Sequence, residues 1–277
     1  MQERSPATAR ADEAPDLLLI EQREPGVVVL TLNRPQSRNS LSLAMLNALR
    51  DATEQVSADE GVHAVVLAAR GPVFSSGHDL KELTEHRADA DRGQAFFALA
   101  MQSCSRTMRA ITASPKPFIA AVQGTATAAG CQLVATADLA VASEDATFAT
   151  PGVNIGLFCS TPMVALTRNV GRKRALEMLL LGEMIDAHRA AEYGLVNRVV
   201  PREHVLDEAL ALARAIAAKS PATVAIGKRA FYAQAEQPVA DAYDYTARIM
   251  VENMLARDAE EGIGAFLEKR TPHWKGC

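Results

Sequence analysis

The nine residues TAAGCQLVA, at positions 127–135, form the first pattern with a chemical use. Small residues precede an apolar run, which is typical of a helix start whose backbone N–H groups are open to a ligand. Gln132 follows these small residues, and its amide can hold a ligand through hydrogen bonds. Because an amide neither takes nor gives a proton at neutral pH, Gln132 is suited to binding and not to acid–base chemistry.

A second candidate is the Gly/Ser-rich segment FSSGHDL, at positions 74–80. Its His78 carries an imidazole, which exchanges protons near neutral pH and can serve as a general acid or base. Asp79 is of the residue type that caps helix starts, so we expect a structural role for it at the next helix.

Strand-like and helix-like patterns alternate around these segments. LLLIEQREPGVVVLTLN predicts a β-hairpin, and HAVVLAAR and PFIAAVQG predict buried strands. LSLAMLNALRDATEQV, with Ser40 as its expected cap, and GQAFFALAMQSCSRTMRAI predict helices. The segment GPVFSSGHDL reads as a loop. This alternation favours an α/β fold.

The chain becomes mainly helical after Thr161. We predict an amphipathic helical region over 200–277, in which Met250, Met254 and Leu255 pack either on the main core or on a neighbouring subunit. Residues 1–15 are polar and predict a disordered lead-in, which leaves 16–199 as the core.

Composition narrows the class of protein. The net charge of −4 argues against nucleic acid as a partner. Four widely spaced cysteines without a CxxC pair argue against a zinc site and a disulfide framework, and they fit a reducing cytosol. No metal is expected. Apolar runs end well short of the ~18 residues of a membrane span. The N-terminus lacks a signal core and fits a transit peptide poorly, so we expect a cytoplasmic protein without a membrane partner.

Four segments, in this order, resemble the enoyl-CoA hydratase/isomerase (crotonase) superfamily: NRPQSRNSLSLAM, AVVLAARGPVFSSGHDLKEL, AVQGTATAAGCQLVATADLAVAS and FLEKRTPHWK. SSGHDLKEL and ATPGVNIGLFCSTP are most similar to its enoyl-CoA hydratase domain-containing protein 3 group. The resemblance implies an α/β fold with a spiral core of ββα units and a C-terminal helical trimerisation region. It also implies a homotrimer or hexamer, and a coenzyme A thioester as substrate or ligand with no tightly bound cofactor.

Chemistry in this family passes through a thioester enolate, whose oxygen gains negative charge and is held by backbone donors. By motif position, the resemblance assigns these donors to the N–H groups of His78 and Ala129. Ala129 stands where many relatives carry glycine, which is acceptable only if its φ is negative. Catalysis by the His78 side chain stays an alternative.

The resemblance also locates the acids that hydration of an enoyl thioester uses. The matching positions hold Gln132, Gly152 and Ser160, and none of these is a carboxylate. Losing a positioned acid or base costs about 10² to 10⁴ in rate, so we expect hydration to be weak or absent.

Three substitutes for these acids stay open: the carboxylates of Glu82 and Glu85, the thiol of Cys159, or a reaction without a base. The protein is accordingly predicted to be a nominal enoyl-CoA hydratase with altered activity. The alternatives are a non-catalytic acyl-CoA-binding or regulatory protein, and an acyl-CoA decarboxylase that needs only the oxyanion hole.

Phosphates of the coenzyme predict cations near the pocket entrance. By motif position, the expected coenzyme and acyl contacts are Arg34, Arg38, the backbone of Ser76 and Leu80, Leu157, Phe158, Met163, and Lys269 and Arg270 from the same or a neighbouring subunit.

Overall fold

A computed structural model describes residues 16–277, so the predicted lead-in at 1–15 lies outside the described residues. The strands are β1 (Leu18–Glu24), β2 (Val27–Leu32), β3 (Ala64–Ala69), β4 (Val73–Ser75), β5 (Phe118–Val122), β6 (Thr125–Thr127), β7 (Leu139–Ser143), β8 (Thr147–Ala149), β9 (Ile185–Asp186) and β10 (Arg198–Val200). The helices are α1 (Leu43–Ala58), α2 (Leu80–Glu85), α3 (Gln94–Ala113), α4 (Ala129–Thr136), α5 (Pro162–Asn169), α6 (Arg172–Leu181), α7 (Ala187–Glu192), α8 (Val205–Ala217), α9 (Pro221–Gln234), α10 (Val239–Met254) and α11 (Arg257–Glu268).

Two sheets share these strands. The larger has the order β1-β2-β3-β5-β7-β10, and the smaller has the order β4-β6-β8-β9. β1 and β2 form the expected antiparallel hairpin, whereas β2, β3, β5, β7 and β10 run parallel. The pairs β3–β4, β5–β6 and β7–β8 each give one strand to each sheet and are followed by a helix. This is the predicted ββα spiral, and the α/β fold class is confirmed.

Apolar side chains on both faces of the large sheet account for its burial. Leu30 of β2 and Leu67 of β3 pack into a core shared with α1, α3 and α4. Val29 and Val66 point to the other face, where α8 covers them with Val205, Ala209 and Ala213. Burying one such Val or Leu stabilises the fold by about 1.5 to 3 kcal/mol. Because these strands are buried on both faces of the sheet, their sequences are continuous apolar runs.

A buried ion pair fixes α9 to this core. Lys228 Nζ donates to Asp138 Oδ2 at 2.6 Å and to the carbonyls of Ile111 and Lys116 at 3.0 and 2.9 Å. Tyr232 donates to Asp138 Oδ1 at 2.9 Å. Burial lowers the pKa of Lys228, and the charge of Asp138 offsets only part of that effect. Removing one partner would therefore leave an uncompensated group in an apolar site.

The predicted C-terminal helical region is confirmed, but the three apolar residues predicted to pack there lie on exposed surfaces. Met250, Met254 and Leu255 are 61%, 57% and 82% exposed, so packing of these side chains on the main core is wrong for this chain alone. The division of the chain at residue 200 stays a prediction. Two helices that follow this residue are attached to the core: α8 packs on the large sheet, and Lys228 of α9 is paired with Asp138.

Two local expectations are wrong. Ser42 caps α1 by accepting the Met45 N–H, whereas the predicted cap, Ser40, donates to Asp79. The segment expected to be a loop contains β4, whose partner β6 also went unpredicted. Both strands are three residues long and are stabilised by pairing with distant strands, which local patterns do not reveal.

Replacing Asp138 by alanine should destabilise the protein by about 3 kcal/mol, because the Lys228 ammonium would stay buried without its counter-charge. Chemical denaturation measures this loss as a change in the free energy of unfolding. The exposed Asp145 offers a matched control, since Asp145→Ala should change that free energy by less than about 0.5 kcal/mol. Equal effects of the two substitutions would contradict a stabilising role for the ion pair.

Candidate active site

The loop between β2 and α1 fixes the segment around His78. Leu41 N–H donates to the Gly77 carbonyl at 2.7 Å, and Asp79 N–H donates to the Leu41 carbonyl at 3.4 Å. Leu41 and His78 thereby form a parallel bridge. In such a bridge the N–H of the central residue points to the opposite edge. The His78 N–H accordingly faces away from Leu41, and it meets no acceptor in residues 16–277.

The start of α4 lies against this segment at backbone contact distance. A Cβ on Gly130 would lie 2.3 Å from the Ser75 carbonyl oxygen, which only glycine can avoid. A Cβ on Gly77 would lie 3.0 Å from the Ala129 nitrogen, and Gly77 also has a φ of +86°. The two glycines let β4 and α4 approach until the backbone beside His78 adjoins that of Ala129.

Ala129 begins α4, so its N–H has no intrahelical partner, and the described part of the chain offers it no other acceptor. Its conformation is helical, with a negative φ. The strained residue is its neighbour Ala128, with φ 50° and ψ −119°. A non-glycine residue in such a region costs about 1 to 3 kcal/mol. Ala128 is held there because its N–H donates to the Ala149 carbonyl at 2.9 Å and its carbonyl accepts the Gln132 N–H at 3.0 Å.

His78 lines a cleft of about 1060 Å³, together with the predicted ligand residues Arg34, Arg38, Ser76 and Leu80. The side chain is partly buried, and its Nε2 is inaccessible to solvent and has no partner among the described residues. Burial lowers the pKa of His78 below 6.5, and the neighbouring Leu41 backbone offsets only part of this shift. The ring is therefore neutral at physiological pH.

Asp79 connects the cleft wall to α2. It accepts the Lys81 and Glu82 N–H groups at 3.2 and 3.4 Å, which confirms its predicted capping role. Desolvation acts to raise its pKa, but the Ser40 hydroxyl, these N–H groups and the charge of Arg34 outweigh it and lower the pKa.

The two arginines predicted to line the cleft differ in whether a carboxylate already pairs with their charge. Arg34 lies 3.5 Å from Asp79 Oδ2 and donates to Ser42 Oγ at 3.1 Å, so its guanidinium is already paired. Arg38 is exposed, and no side-chain partner for it occurs between residues 16 and 277. Arg38 is thus the cation better placed for an incoming anion.

Two of the three expected acid positions, Gln132 and Gly152, are closely packed. Gln132 is buried in α4, where its Oε1 accepts from Cys104 Sγ at 3.7 Å. A Cβ on Gly152 would lie 3.0 Å from both Cys159 Sγ and the Leu157 carbonyl oxygen. A side chain at 152 therefore requires the 157–159 segment to shift by a few tenths of an ångström. Ser160 is exposed.

The substitutes for these acids are also constrained. Glu82 accepts the Leu43 N–H at 3.0 Å, so it caps α1 and is not merely solvated. Glu85 is exposed at the cleft wall. Burial raises the pKa of the Cys159 thiol, which keeps it protonated and poorly nucleophilic.

The remaining predicted contacts lie outside the cleft of the single chain. Arg270 is paired with Glu261 and Glu268 at 2.6 Å each, and the hydrogen bonds from Arg270 hold the pKa of Glu261 at about 2. Lys269 ends α11 on an exposed turn. Leu157, Phe158 and Met163 are 50%, 43% and 37% exposed on the surface beyond Gly152.

Asn39 is a site residue that sequence reasoning missed. Its amide donates to the Arg70 and Val73 carbonyls at 2.9 and 2.8 Å and accepts the Arg34 N–H at 2.9 Å. It thereby fixes the loop that holds the His78 segment. The available signal was an asparagine in a turn, a residue that tolerates its φ of 49°.

Comparison with known proteins gives the family. The sequence profile described as Enoyl-CoA hydratase/isomerase matches residues 22–277. The rat protein "Enoyl-CoA hydratase domain-containing protein 3, mitochondrial" is 47% identical over 98% of this chain and 89% of its own length. The chain belongs to the enoyl-CoA hydratase/isomerase family. The predicted resemblance, including the subgroup, is confirmed.

Solved structures of this family match the fold. An enoyl-CoA hydratase from Mycobacterium smegmatis has a TM-score of 0.89 and 52% identity, over 94% of this chain and 99% of that one. The human enoyl Coenzyme A hydratase domain-containing protein 3 has a TM-score of 0.89 and 47% identity, over 94% of this chain and 100% of that one.

The location of the relatives differs from the one predicted for this chain. The expected cytoplasmic location is wrong, since the rat, mouse and human relatives are all named as mitochondrial. Free, widely spaced cysteines fit any reducing compartment, so they could not select the cytosol.

Two further findings concern metal and membrane. Among residues 16–277, no group of three His, Cys, Asp or Glu side chains converges as a metal site. No single helix in that range is long and apolar enough to cross a membrane, although Arg202–Ala217 and Pro221–Gln234, bent by 106°, together have the length and composition of a span.

Replacing Ala128 by glycine should stabilise the protein by about 1 kcal/mol, because glycine adopts this backbone conformation without strain. The control is Ala98→Gly on the exposed face of α3, where the same change should destabilise by about 1 kcal/mol. Thermal and chemical denaturation of both variants measure these opposite signs. A destabilised Ala128→Gly variant would contradict the strain.

Proposed function

We propose that this protein binds an acyl- or enoyl-CoA thioester and stabilises its enolate through the backbone N–H groups of His78 and Ala129. The observation that carries the proposal is their shared isolation: neither N–H meets an acceptor within residues 16–277, although the segments that bear them pack at backbone contact distance. Two such donors stabilise a developing oxyanion by about 3 kcal/mol each. Membership of the enoyl-CoA hydratase/isomerase family supports a CoA thioester as the ligand.

The proposed reaction is enoyl-CoA hydration at a reduced rate. Gln132 supplies an amide, Gly152 adjoins a protonated thiol, and Ser160 lies on the surface. The enolate can thus be held, but these positions cannot move its protons. We place the rate about 10² to 10⁴ below that of a site with a glutamate at position 132.

A second candidate is decarboxylation of a malonyl-type thioester, which the missing carboxylates favour. Loss of CO₂ itself leaves the electron pair of the enolate, so the two backbone donors would suffice and no base is needed. Comparing turnover of malonyl-CoA and crotonyl-CoA separates this reaction from hydration. Binding of both compounds without turnover of either would identify a non-catalytic acyl-CoA-binding protein.

The coenzyme contacts and the assembly are part of the proposal. Arg38 is the leading phosphate contact from this chain, because Arg34 is already paired with Asp79. The exposed apolar faces of α10 and α11, with Leu255 and Phe266 both more than 80% exposed, support contact between subunits in a homotrimer or a hexamer. Lys269 and Arg270 would then reach a neighbouring site.

Calorimetric titration tests the binding step. The wild-type protein should bind acyl-CoA thioesters, and Arg38→Ala should weaken that binding about tenfold, because one charge-assisted phosphate contact is lost. Arg168, exposed on α5 and paired with Glu236, gives the matched control. No heat of binding with several acyl-CoAs would overturn the proposed function.

Replacing Gln132 by glutamate should raise crotonyl-CoA hydration by about 100-fold, because it supplies an acid–base group beside the oxyanion hole. Gln132→Leu, which removes the amide without adding a carboxylate, is the control. Gly152→Glu should raise the rate less than Gln132→Glu, since its Cβ would lie 3.0 Å from Cys159 Sγ and from the Leu157 carbonyl oxygen, which would have to shift. Loss of absorbance of the enoyl thioester measures each rate, and equal turnover of wild type and Gln132→Glu would contradict the argument.

A further inference from the structure

The peptide group between Gly77 and His78 carries one of the two proposed oxyanion donors. This peptide is trans, and its carbonyl accepts the Leu41 N–H at 2.7 Å. In a trans peptide the C=O and N–H bonds lie in one plane and point in opposite directions. The hydrogen bond at the Gly77 carbonyl therefore also fixes the direction of the His78 N–H. The position of Leu41 decides where this donor points.

The backbone N–H groups on either side of this peptide are already engaged. The Ser76 N–H donates to the Arg38 carbonyl at 3.0 Å. The Asp79 N–H donates to the Leu41 carbonyl at 3.4 Å. The His78 N–H differs from both, because it meets no acceptor in the part of the chain that the structure describes. The segment thus keeps one donor available for a ligand between neighbours that are held in place.

A side-chain hydrogen bond fixes the residue before Leu41. Ser40 is only 6% exposed, and its hydroxyl donates to Asp79 Oδ2 at 2.9 Å. Desolvation alone would raise the pKa of Asp79, but the Ser40 hydroxyl, two backbone N–H groups and the charge of Arg34 lower it. The carboxylate is therefore ionised at neutral pH, and the hydrogen bond from Ser40 is charge-assisted.

Covalent bonds and hydrogen bonds together form a closed ring that contains His78. The backbone joins Ser40 to Leu41, whose N–H donates to the Gly77 carbonyl. From Gly77 the backbone continues through His78 to Asp79. The hydrogen bond between Ser40 Oγ and Asp79 Oδ2 then closes the ring. A buried network in which each contact is made restricts the rotation of its peptide groups, so this ring restrains the plane that carries the His78 N–H.

The two carboxylate oxygens of Asp79 have separate contacts. Oδ1 accepts the Lys81 and Glu82 N–H groups at the start of α2, whereas Oδ2 accepts the Ser40 hydroxyl. Removing that hydroxyl would open the ring and would leave both the helix cap and the charge of Asp79 in place. The positioning of the His78 peptide can therefore be tested apart from the capping of α2.

We propose that Ser40 and Asp79 are positioning residues, which close this ring and thereby aim the His78 N–H at the thioester oxygen. This inference rests on the proposed function, because it requires a thioester in the cleft. Both residues line the same cleft as His78. They act through the peptide between Gly77 and His78, and neither side chain is required to touch the reacting atoms.

Infrared difference spectroscopy tests this role without turnover. Butyryl-CoA with an isotopic label at the thioester carbonyl is saturated, so it can bind but cannot be hydrated. On binding to the wild-type protein, hydrogen bonds from the two donors should lower the stretching frequency of this carbonyl. Ser40→Ala should lose about half of that shift, because one of the two donors is misdirected. Its Kd, measured by calorimetry, should rise by no more than about tenfold.

Asp79→Ala opens the same ring and also removes the cap of α2. It should lose at least as much of the carbonyl shift as Ser40→Ala loses. The double variant should lose no more than Asp79→Ala alone, because the two side chains act through one contact. Additive losses would show that they act separately and would overturn the ring. If Asp79→Ala does not fold, Ser40→Ala decides the question alone.

Two control variants match these changes outside the cleft. Ser57, near the other end of α1, donates to Ser114 Oγ at 2.7 Å, so Ser57→Ala removes a comparable serine hydrogen bond. Asp186 caps α7 by accepting the Arg189 N–H at 2.8 Å, so Asp186→Ala removes a comparable helix cap. Both variants should keep the full carbonyl shift, even where their melting temperature falls.

The outcomes distinguish this inference from the proposed function. A full shift in both Ser40→Ala and Asp79→Ala would overturn the positioning role while the oxyanion donors stand. An equal loss of shift in Ser57→Ala or Asp186→Ala would also overturn it, since the effect would then follow stability. A wild type that binds butyryl-CoA without any shift, or that does not bind it, would overturn the proposed function as well. Circular dichroism shows that each variant is folded.

Discussion

The approach of two backbone segments to contact distance is the constraint on which this site depends. The end of β4 and the start of α4 meet where the Gly130 Cα lies against the Ser75 carbonyl, with no space for a side chain. The loop with Leu41 and Asn39 holds β4 in place from the other side. Together these contacts fix the direction of two N–H groups. The strained conformation of Ala128 is part of this geometry, and its backbone hydrogen bonds to Ala149 and Gln132 stabilise it.

Much of the fold was predictable because its signals are local. Apolar runs between turn residues gave the long strands, and the hairpin followed from the turn after Glu24. The short β4 and β6 were not predictable in this way, since their stability comes from pairing across the spiral. The choice of Ser42 over Ser40 as a helix cap has the same origin: Ser40 is drawn to Asp79, which lies 39 residues away in the sequence.

Part of the candidate site was also predictable from the sequence, and part was not. Motif position indicated His78, Ala129 and the arginines, and the structure brings His78, Arg34 and Arg38 to one cleft. It could not indicate that Arg34 is already paired, or that Cys159 occupies the space beside Gly152. These facts depend on distances between segments that are remote in sequence. The contacts of Lys269 and Arg270 depend on a further level, the assembly of subunits, which a single chain does not contain.

The contact between Gly130 and Ser75 has a consequence for how such a protein changes over generations. Every substitution at Gly130 adds an atom where the Ser75 carbonyl already lies, so the backbone contact strongly disfavours any other residue at this position. Two residues later, Gln132 contributes a side chain whose Oε1 accepts from Cys104 Sγ, and its backbone is ordinary helix. In the proposed function, charge stabilisation thus depends on the shape of the backbone, and proton transfer depends on side chains. Single substitutions of those side chains can therefore change the proposed reaction, while the backbone contact between Gly130 and Ser75 stays as it is.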